Sequence, residues 1–248
     1  MGFFSRLFGK QEQGEPVDLG SLGVDMHSHF IPGIDDGAKT IHDSIELITA
    51  MAEFGYRKVV TTPHIMGDFY RNTPENINAG LAQVRTAVKE AGLNIEVEAA
   101  AEYYFDYELE RKLDTERLLT FGENYLLFEV SYMNSPDNLD GMIFKMQTSG
   151  YKPVLAHPER YPYWFRDIKN FEKLKDKGIL FQLNINSLTG HYSPATAKMA
   201  ETMIEKGWYE FLGSDCHHAG HLELMKKART ATPLRQLIES GKLLNSTL

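Results

Sequence analysis

Cysteine is nearly missing from this chain: among 248 residues there is only Cys216. No internal disulfide can form, and nothing points to an oxidising compartment. No apolar run is long enough to cross a bilayer. No stretch is strongly basic, and the formal charge is −8. Nucleic acid is therefore excluded as a main partner, because such affinity comes from clustered Lys and Arg. Repeats and low-complexity segments are also lacking. The opening M-G-F-F-S-R-L-F-G-K has no cleavable signal pattern, since Arg6 and Lys10 interrupt its apolar part. The expected location is cytoplasmic. Phe3, Phe4, Leu7 and Phe8 lie near helical spacing beside those two cations. They read either as a short helix at the inner face of the membrane or as a lightly packed tail.

A hydrophobic share of 42% and a charged share of 24% are ordinary for a soluble globular protein. The length fits one α/β barrel domain. Residues 11–21 are polar and rich in Gly and Pro, so 1–21 reads as tail and linker and 22–248 as the domain. From there strand and helix patterns alternate. Strands are expected at 23–27, 57–62, 95–101, 125–130, 152–156, 179–184 and 210–214. Helices are expected near 40–55, 74–92, 106–114, 136–149, 167–177, 194–206 and 221–230. Gly55, Gly92, Gly150, Gly178 and Gly207 stand where a chain must leave a helix through positive φ. Alternating βα units of this length predict parallel strands closed into a barrel.

Six of the expected strands end on His, Asp or Glu. His27 and His29 stand in V-D-M-H-S-H, with Asp35 and Asp36 just behind. His64 ends V-V-T-T-P-H, and Glu102 ends V-E-A-A-A-E. Glu129 lies in Y-L-L-F-E-V, His157 in P-V-L-A-H-P-E-R, and Asp215 and His217 in F-L-G-S-D-C-H. H-x-H at a strand end puts two imidazoles on one side of the backbone, because strand side chains alternate. Any one such residue could be a helix cap. Six together, brought to one face by a parallel barrel, predict a multi-metal site.

Imidazole and carboxylate without thiolate suit zinc, manganese or ferrous iron. Several carboxylates favour two or more ions, and such ions serve hydrolysis. Arg160 follows His157 by three residues on the same loop. A guanidinium there suits the spread charge of a transferring phosphoryl group, the alternative being a surface pair with Glu159. Tyr103, Tyr104, Phe105, Tyr107, Tyr132, Tyr161, Tyr163, Trp164 and Phe165 crowd these loops. They either wall a pocket or pack over the barrel end. Cys216 lacks the Arg six residues on that a cysteine phosphatase needs, position 222 being Leu, and reads as a packed thiol. His42, His191, His218 and His221 read as surface or helix-end residues, the last two near the site mouth.

These stretches (H-S-H-F-I-P-G-I-D-D-G, T-P-H, A-E-Y-Y, F-E-V, A-H-P-E-R-Y and S-D-C-H) together resemble the PHP (polymerase and histidinol phosphatase) superfamily. The likeness is to its manganese-dependent bacterial protein-tyrosine phosphatases of capsule and exopolysaccharide systems, over about residues 24 to 240. It implies a distorted (β/α)7 TIM-like barrel holding two or three divalent ions. Manganese is the expected ion, with iron, zinc and magnesium as alternatives. The implied ligands are His27, His29, Asp36, His64, Glu102, Glu129, His157, Asp215 and His217. Asp36 is preferred over Asp35 only by the resemblance. Arg160, Asp36 and His217 would be catalytic. The implied substrate is a phosphotyrosine protein, the tyrosine-rich tail of a bacterial tyrosine autokinase. Rival readings are a small-molecule phosphatase of the histidinol phosphate type and a metal-dependent amidohydrolase. The second is disfavoured because Glu129 stands where those enzymes often carry a modified Lys. One departure is Leu222, where relatives tend to carry an Arg.

Overall fold

The computed structural model describes residues 15–248. Phe3, Phe4, Leu7 and Phe8 lie outside the described residues. Short apolar runs form parallel strands β1 (Val24–Asp25), β2 (Lys58–Thr61), β3 (His64–Ile65), β4 (Glu96–Ala99), β5 (Glu102–Tyr104), β6 (Tyr125–Glu129), β7 (Lys152–Ala156), β8 (Leu180–Asn184) and β9 (Phe211–Gly213). The ladders run β1-β2-β4 and β3-β5-β6-β7-β8-β9. Ser28 and Cys216 bridge in parallel, which joins the end of the first strand to the end of the last. The strands thus follow one another around a distorted α/β barrel, the class expected.

Nine strand segments stand where seven strands were expected. The second expected strand, 57–62, is β2, and beyond Pro63, which cannot donate to a ladder, the chain pairs again as β3. Its neighbour, expected at 95–101, likewise forms β4 and then pairs again beyond its expected end as β5. The backbone stays paired across the break, with Ala100 N–H donating to Thr61 O and Glu102 N–H to Pro63 O.

Helices α1 (Ile41–Glu53), α2 (Pro74–Glu90), α3 (Tyr107–Thr115), α4 (Leu139–Thr148), α5 (Lys169–Asp176), α6 (Pro194–Glu205), α7 (Ala219–Ala228) and α8 (Thr232–Glu239) complete the elements. Thr40 and Thr73 close capping boxes with Asp43 and Asn76. The α2 face of Ile77, Leu81, Val84 and Val88 is buried at helical spacing. All five glycines expected at helix exits have positive φ. The α8 helix is an addition: the expected helices end at 230, and this short helix begins at Thr232 with Pro233 in its first turn, where the missing N–H is tolerated.

Two apolar layers result. Val24, Met26, Val60, Ala100, Leu127, Val154, Ala156 and Phe211 fill the barrel interior. Leu126, Phe128 and Leu155, one residue out of phase, face the helices. Within the stretch read as linker, Val17 and Leu19 are buried in the outer layer, and Val17 N–H donates to Arg229 O. No helix among the described residues is long and apolar enough to cross a membrane.

Candidate metal centre

The C-terminal ends of β1, β2, β4, β6, β7 and β9 open on one pit, where His64 and Glu102 begin β3 and β5, and all nine expected ligand residues meet there. Glu102 is at its centre. Its Oε2 lies 3.3 Å from His27 Nε2, 3.6 Å from His29 Nε2 and 3.1 Å from His64 Nδ1. Its Oε1 lies 3.1 Å from His157 Nε2. Asp215 Oδ1 stands 3.4 Å from each of His27 Nε2 and His29 Nε2. Asp36 Oδ1 stands 3.5 Å from both His64 Nε2 and His217 Nε2. Glu129 Oε1 closes the far side, 3.4 Å from His64 Nδ1.

Within the pit, three groups have ligand atoms close enough to share one ion each: His27, His29, Glu102 and Asp215; His29, Asp36, His64 and His217; and His64, Glu102 and Glu129. Glu102 Oε2 and His64 Nδ1 are buried without a hydrogen-bond partner. A buried carboxylate oxygen facing three imidazole nitrogens is costly unless a cation or proton lies between them. The donor set fits divalent ions.

Neighbouring side chains set the tautomers. Gln182 Oε1 accepts from His27 Nδ1 at 2.9 Å, and Asp35 Oδ2 accepts from His29 Nδ1 at 2.8 Å. The carbonyl of Asp215 is 2.9 Å from His217 Nδ1. Each Nε2 is left with its lone pair toward the pit. Asp35 and Asp36, inseparable by spacing, take different places: Asp35 orients His29 and caps Gly37 N–H, while Asp36 faces the pit. Burial pushes His157 down to about 4, helped by the Arg160 charge, so its imidazole is neutral. Burial alone would push Glu102 up, but His27, His64 and His157 hold it well below its usual range. Glu129 goes the other way, pushed up by burial and by the charges of Glu102 and Asp215. The two shifts have opposite signs because Glu102 faces imidazoles whereas Glu129 is buried beside other carboxylates.

The backbone bends to make this possible. Ala156 points into the barrel, so alternation would send His157 outward. A φ of 34° at His157 turns the chain there, and Asp215 has φ of 48°. Left-handed conformations at such residues cost energy and concentrate at functional sites. Below them, a Cβ on Gly213 would come within 2.7 Å of His27 Cβ and Gln182 Nε2, so only glycine admits both.

Arg160 reaches the pit and donates from Nη1 to Asp215 Oδ2 at 3.1 Å. The alternative pairing with Glu159 does not occur. Glu159 is buried beneath, accepting from Asn184 N–H, Ser187 Oγ and Tyr209 Oη. A mouth cavity of about 270 Å³ is lined by Asp36, Arg160, Tyr192, Asp215, His217, His218 and His221. Most of the loop aromatics pack: Tyr103, Tyr161 and Trp164 are buried. Tyr132 alone of that set reaches the ligands, donating to Glu129 Oε2. Cys216 is a buried thiol, its pKa pushed far up by burial. Leu222 is in the core.

Gln182, Asn184 and Tyr192 were not anticipated. Asn184 Nδ2 donates to Asp215 Oδ2 at 2.7 Å and to Tyr192 Oη at 2.8 Å. The available signal was the strand F-Q-L-N itself, which also ends on polar residues but carries amides rather than the acids and histidines of the other strand ends.

Fold and site together define an α/β barrel protein with a histidine–carboxylate centre at the mouth. The chain shares its fold with the crystal structure of an amidohydrolase from Mycoplasma synoviae, at a TM-score of 0.51 and 14% identity over 91% of this chain and 84% of that one. More particularly, the chain belongs to the family described as "Capsular polysaccharide synthesis, CpsB/CapC", which matches residues 23–232. It is 28% identical to the tyrosine-protein phosphatase YwqE of Bacillus subtilis, over 79% of this chain and 77% of that protein. It is also 28% identical to the putative tyrosine-protein phosphatase CapC of Staphylococcus aureus, over 89% and 84%. Crystal structures of YwqE from Bacillus subtilis and CpsB from Streptococcus pneumoniae, described as metal-dependent tyrosine phosphatases, include a chain with TM-score 0.79 and 25% identity, covering 90% of this chain and 94% of that one.

Proposed function

We infer that the protein is a metal-dependent protein-tyrosine phosphatase of capsular polysaccharide synthesis. The observation that carries the reading is Glu102 Oε2, buried without a hydrogen bond and faced by three imidazoles, in a family whose named members are tyrosine phosphatases. His27, His29, Asp36, His64, Glu102, Glu129, His157, Asp215 and His217 hold two or three divalent ions, manganese in the first place. Such ions supply Lewis-acid polarisation of a phosphoryl group and make water acidic enough to react near neutral pH. Asp215 fixes Arg160, whose guanidinium stabilises charge spread over the phosphoryl oxygens. Arg160, Asp36 and His217 line the mouth and are the proposed catalytic residues, Arg160 being the one that meets the phosphoryl oxygens. The substrate is a phosphotyrosine segment of a bacterial tyrosine kinase acting at the cytoplasmic face of the membrane.

The test is hydrolysis of a phosphotyrosine peptide by chelated enzyme with manganese, iron, zinc or magnesium added back. Phosphoserine peptide and histidinol phosphate run in parallel. Manganese-restored turnover selective for phosphotyrosine is expected. Turnover of histidinol phosphate alone would move the protein to small-molecule metabolism, and turnover unaffected by chelation would overturn the metal reading.

A further inference from the structure

Arg160 is gripped by two aromatic rings from the strands on either side of its own. It stands on the single 3-10 turn Pro158–Arg160 that follows β7. Tyr132 comes from the loop after β6, and Tyr192 from the segment after β8, the two neighbours of β7 in the sheet. The guanidinium carbon lies 3.9 Å from the Tyr192 ring centroid and 4.8 Å from that of Tyr132. Both distances are those of a cation held over an aromatic face. Each ring is itself tied to the pit. Tyr192 Oη accepts from Asn184 Nδ2, whose amide also donates to Asp215 Oδ2, the oxygen that Arg160 binds. Tyr132 Oη donates to Glu129 Oε2.

Resting on the phosphatase reading, we propose that Tyr192 and Tyr132 are positioning residues. They hold the Arg160 guanidinium flat between them, so that its remaining N–H groups meet the phosphoryl oxygens without first being ordered. Arginine loses much rotamer freedom when it is immobilised, and a planar slot removes that cost from each catalytic cycle. The slot also explains how the chain can orient a phosphoryl group with Leu222 buried in the core. One guanidinium, rigidly held, does the orienting. The aromatic faces rather than the phenol groups carry the effect.

The experiment compares Tyr192→Ala and Tyr192→Phe, alone and with Arg160→Ala, on manganese-loaded enzyme. Metal content and melting temperature are checked for each variant. The substrates are a phosphotyrosine peptide and p-nitrophenyl phosphate. Tyr192→Ala should lower kcat/KM about ten-fold on both substrates, and Tyr192→Phe less than about two-fold, as a loss of one cation–ring contact predicts. In the Arg160→Ala background, Tyr192→Ala should cost almost nothing further, because the cycle isolates what the two side chains do together. Equal losses in both backgrounds would show that Tyr192 acts without Arg160 and would overturn the proposal. So would a Tyr192→Phe variant as impaired as Tyr192→Ala. Affinity for inorganic phosphate, measured by calorimetry, gives the same comparison without turnover. Wild-type protein that neither turns over nor binds phosphate would instead sink the phosphatase reading, and the clamp with it.

Discussion

At the residue scale, the chemistry turns on Glu102, the only carboxylate of the cluster within reach of four imidazoles. Glu102→Gln keeps the shape and removes the charge. It should strip the protein of most of its bound divalent metal and reduce phosphotyrosine turnover at least about a hundred-fold. Elemental analysis beside the activity assay checks it, and retention of metal at full stoichiometry would contradict the central role given to this residue. Leu222 is the contrasting case. It stands where the resemblance implied an Arg, and it is buried against the outer core. Leu222→Ala should therefore cost about 2–4 kcal/mol in denaturant unfolding while leaving kcat/KM within about two-fold. A loss of activity at unchanged stability would place Leu222 in the site instead. The role of each acid was only partly legible beforehand. Asp35 and Asp36 are adjacent in sequence and differ by which way a turn points them, and the turn is set by the Gly37 and His29 contacts.

At the element scale, what matters is how the first and last strands meet. At the top, Ser28 and Cys216 form a backbone bridge. Lower down, the gap is filled by a side chain. Asn245, from the C-terminal tail, donates from Nδ2 to Val24 O and Leu212 O and accepts from Leu212 N–H. It replaces a stretch of ladder between β1 and β9. Asn245→Ala should cost about 3 kcal/mol, three buried hydrogen bonds at roughly 1 kcal/mol each, and lower the melting temperature accordingly. A shift of under a degree would show that the seam is held by other contacts. This device could not be read in the sequence, since an Asn near a chain end has no periodic signature. The strands themselves could, because buried parallel strands read as short apolar runs. The Pro63 break could not, since pairing across it depends on Glu102 N–H reaching Pro63 O from a distant strand; nor could the α8 helix, whose 8 residues are too short for a clear periodic signal.

At the scale of the whole molecule, ions held by residues from six strand ends would tie the barrel mouth together. Metal binding to the folded chain alone adds stability by mass action, about 2.7 kcal/mol at a hundred times Kd. Chelation should then lower the melting temperature by roughly 5–10 °C, restored by manganese. Equal melting curves with and without chelator would mean that no ion is held tightly there. The sequence by itself determined the strand-and-helix alternation, the barrel class and the residues of the centre, because local periodicity and strand-end chemistry are written in consecutive residues. Tertiary structure alone decided which carboxylate faces the pit and which atoms orient each imidazole. It also decided that Tyr132 and Tyr192 close on Arg160 and that Asn245 seals the seam. Those outcomes depend on side chains from strands far apart in sequence meeting at distances of 3 to 5 Å, and no local pattern encodes such meetings.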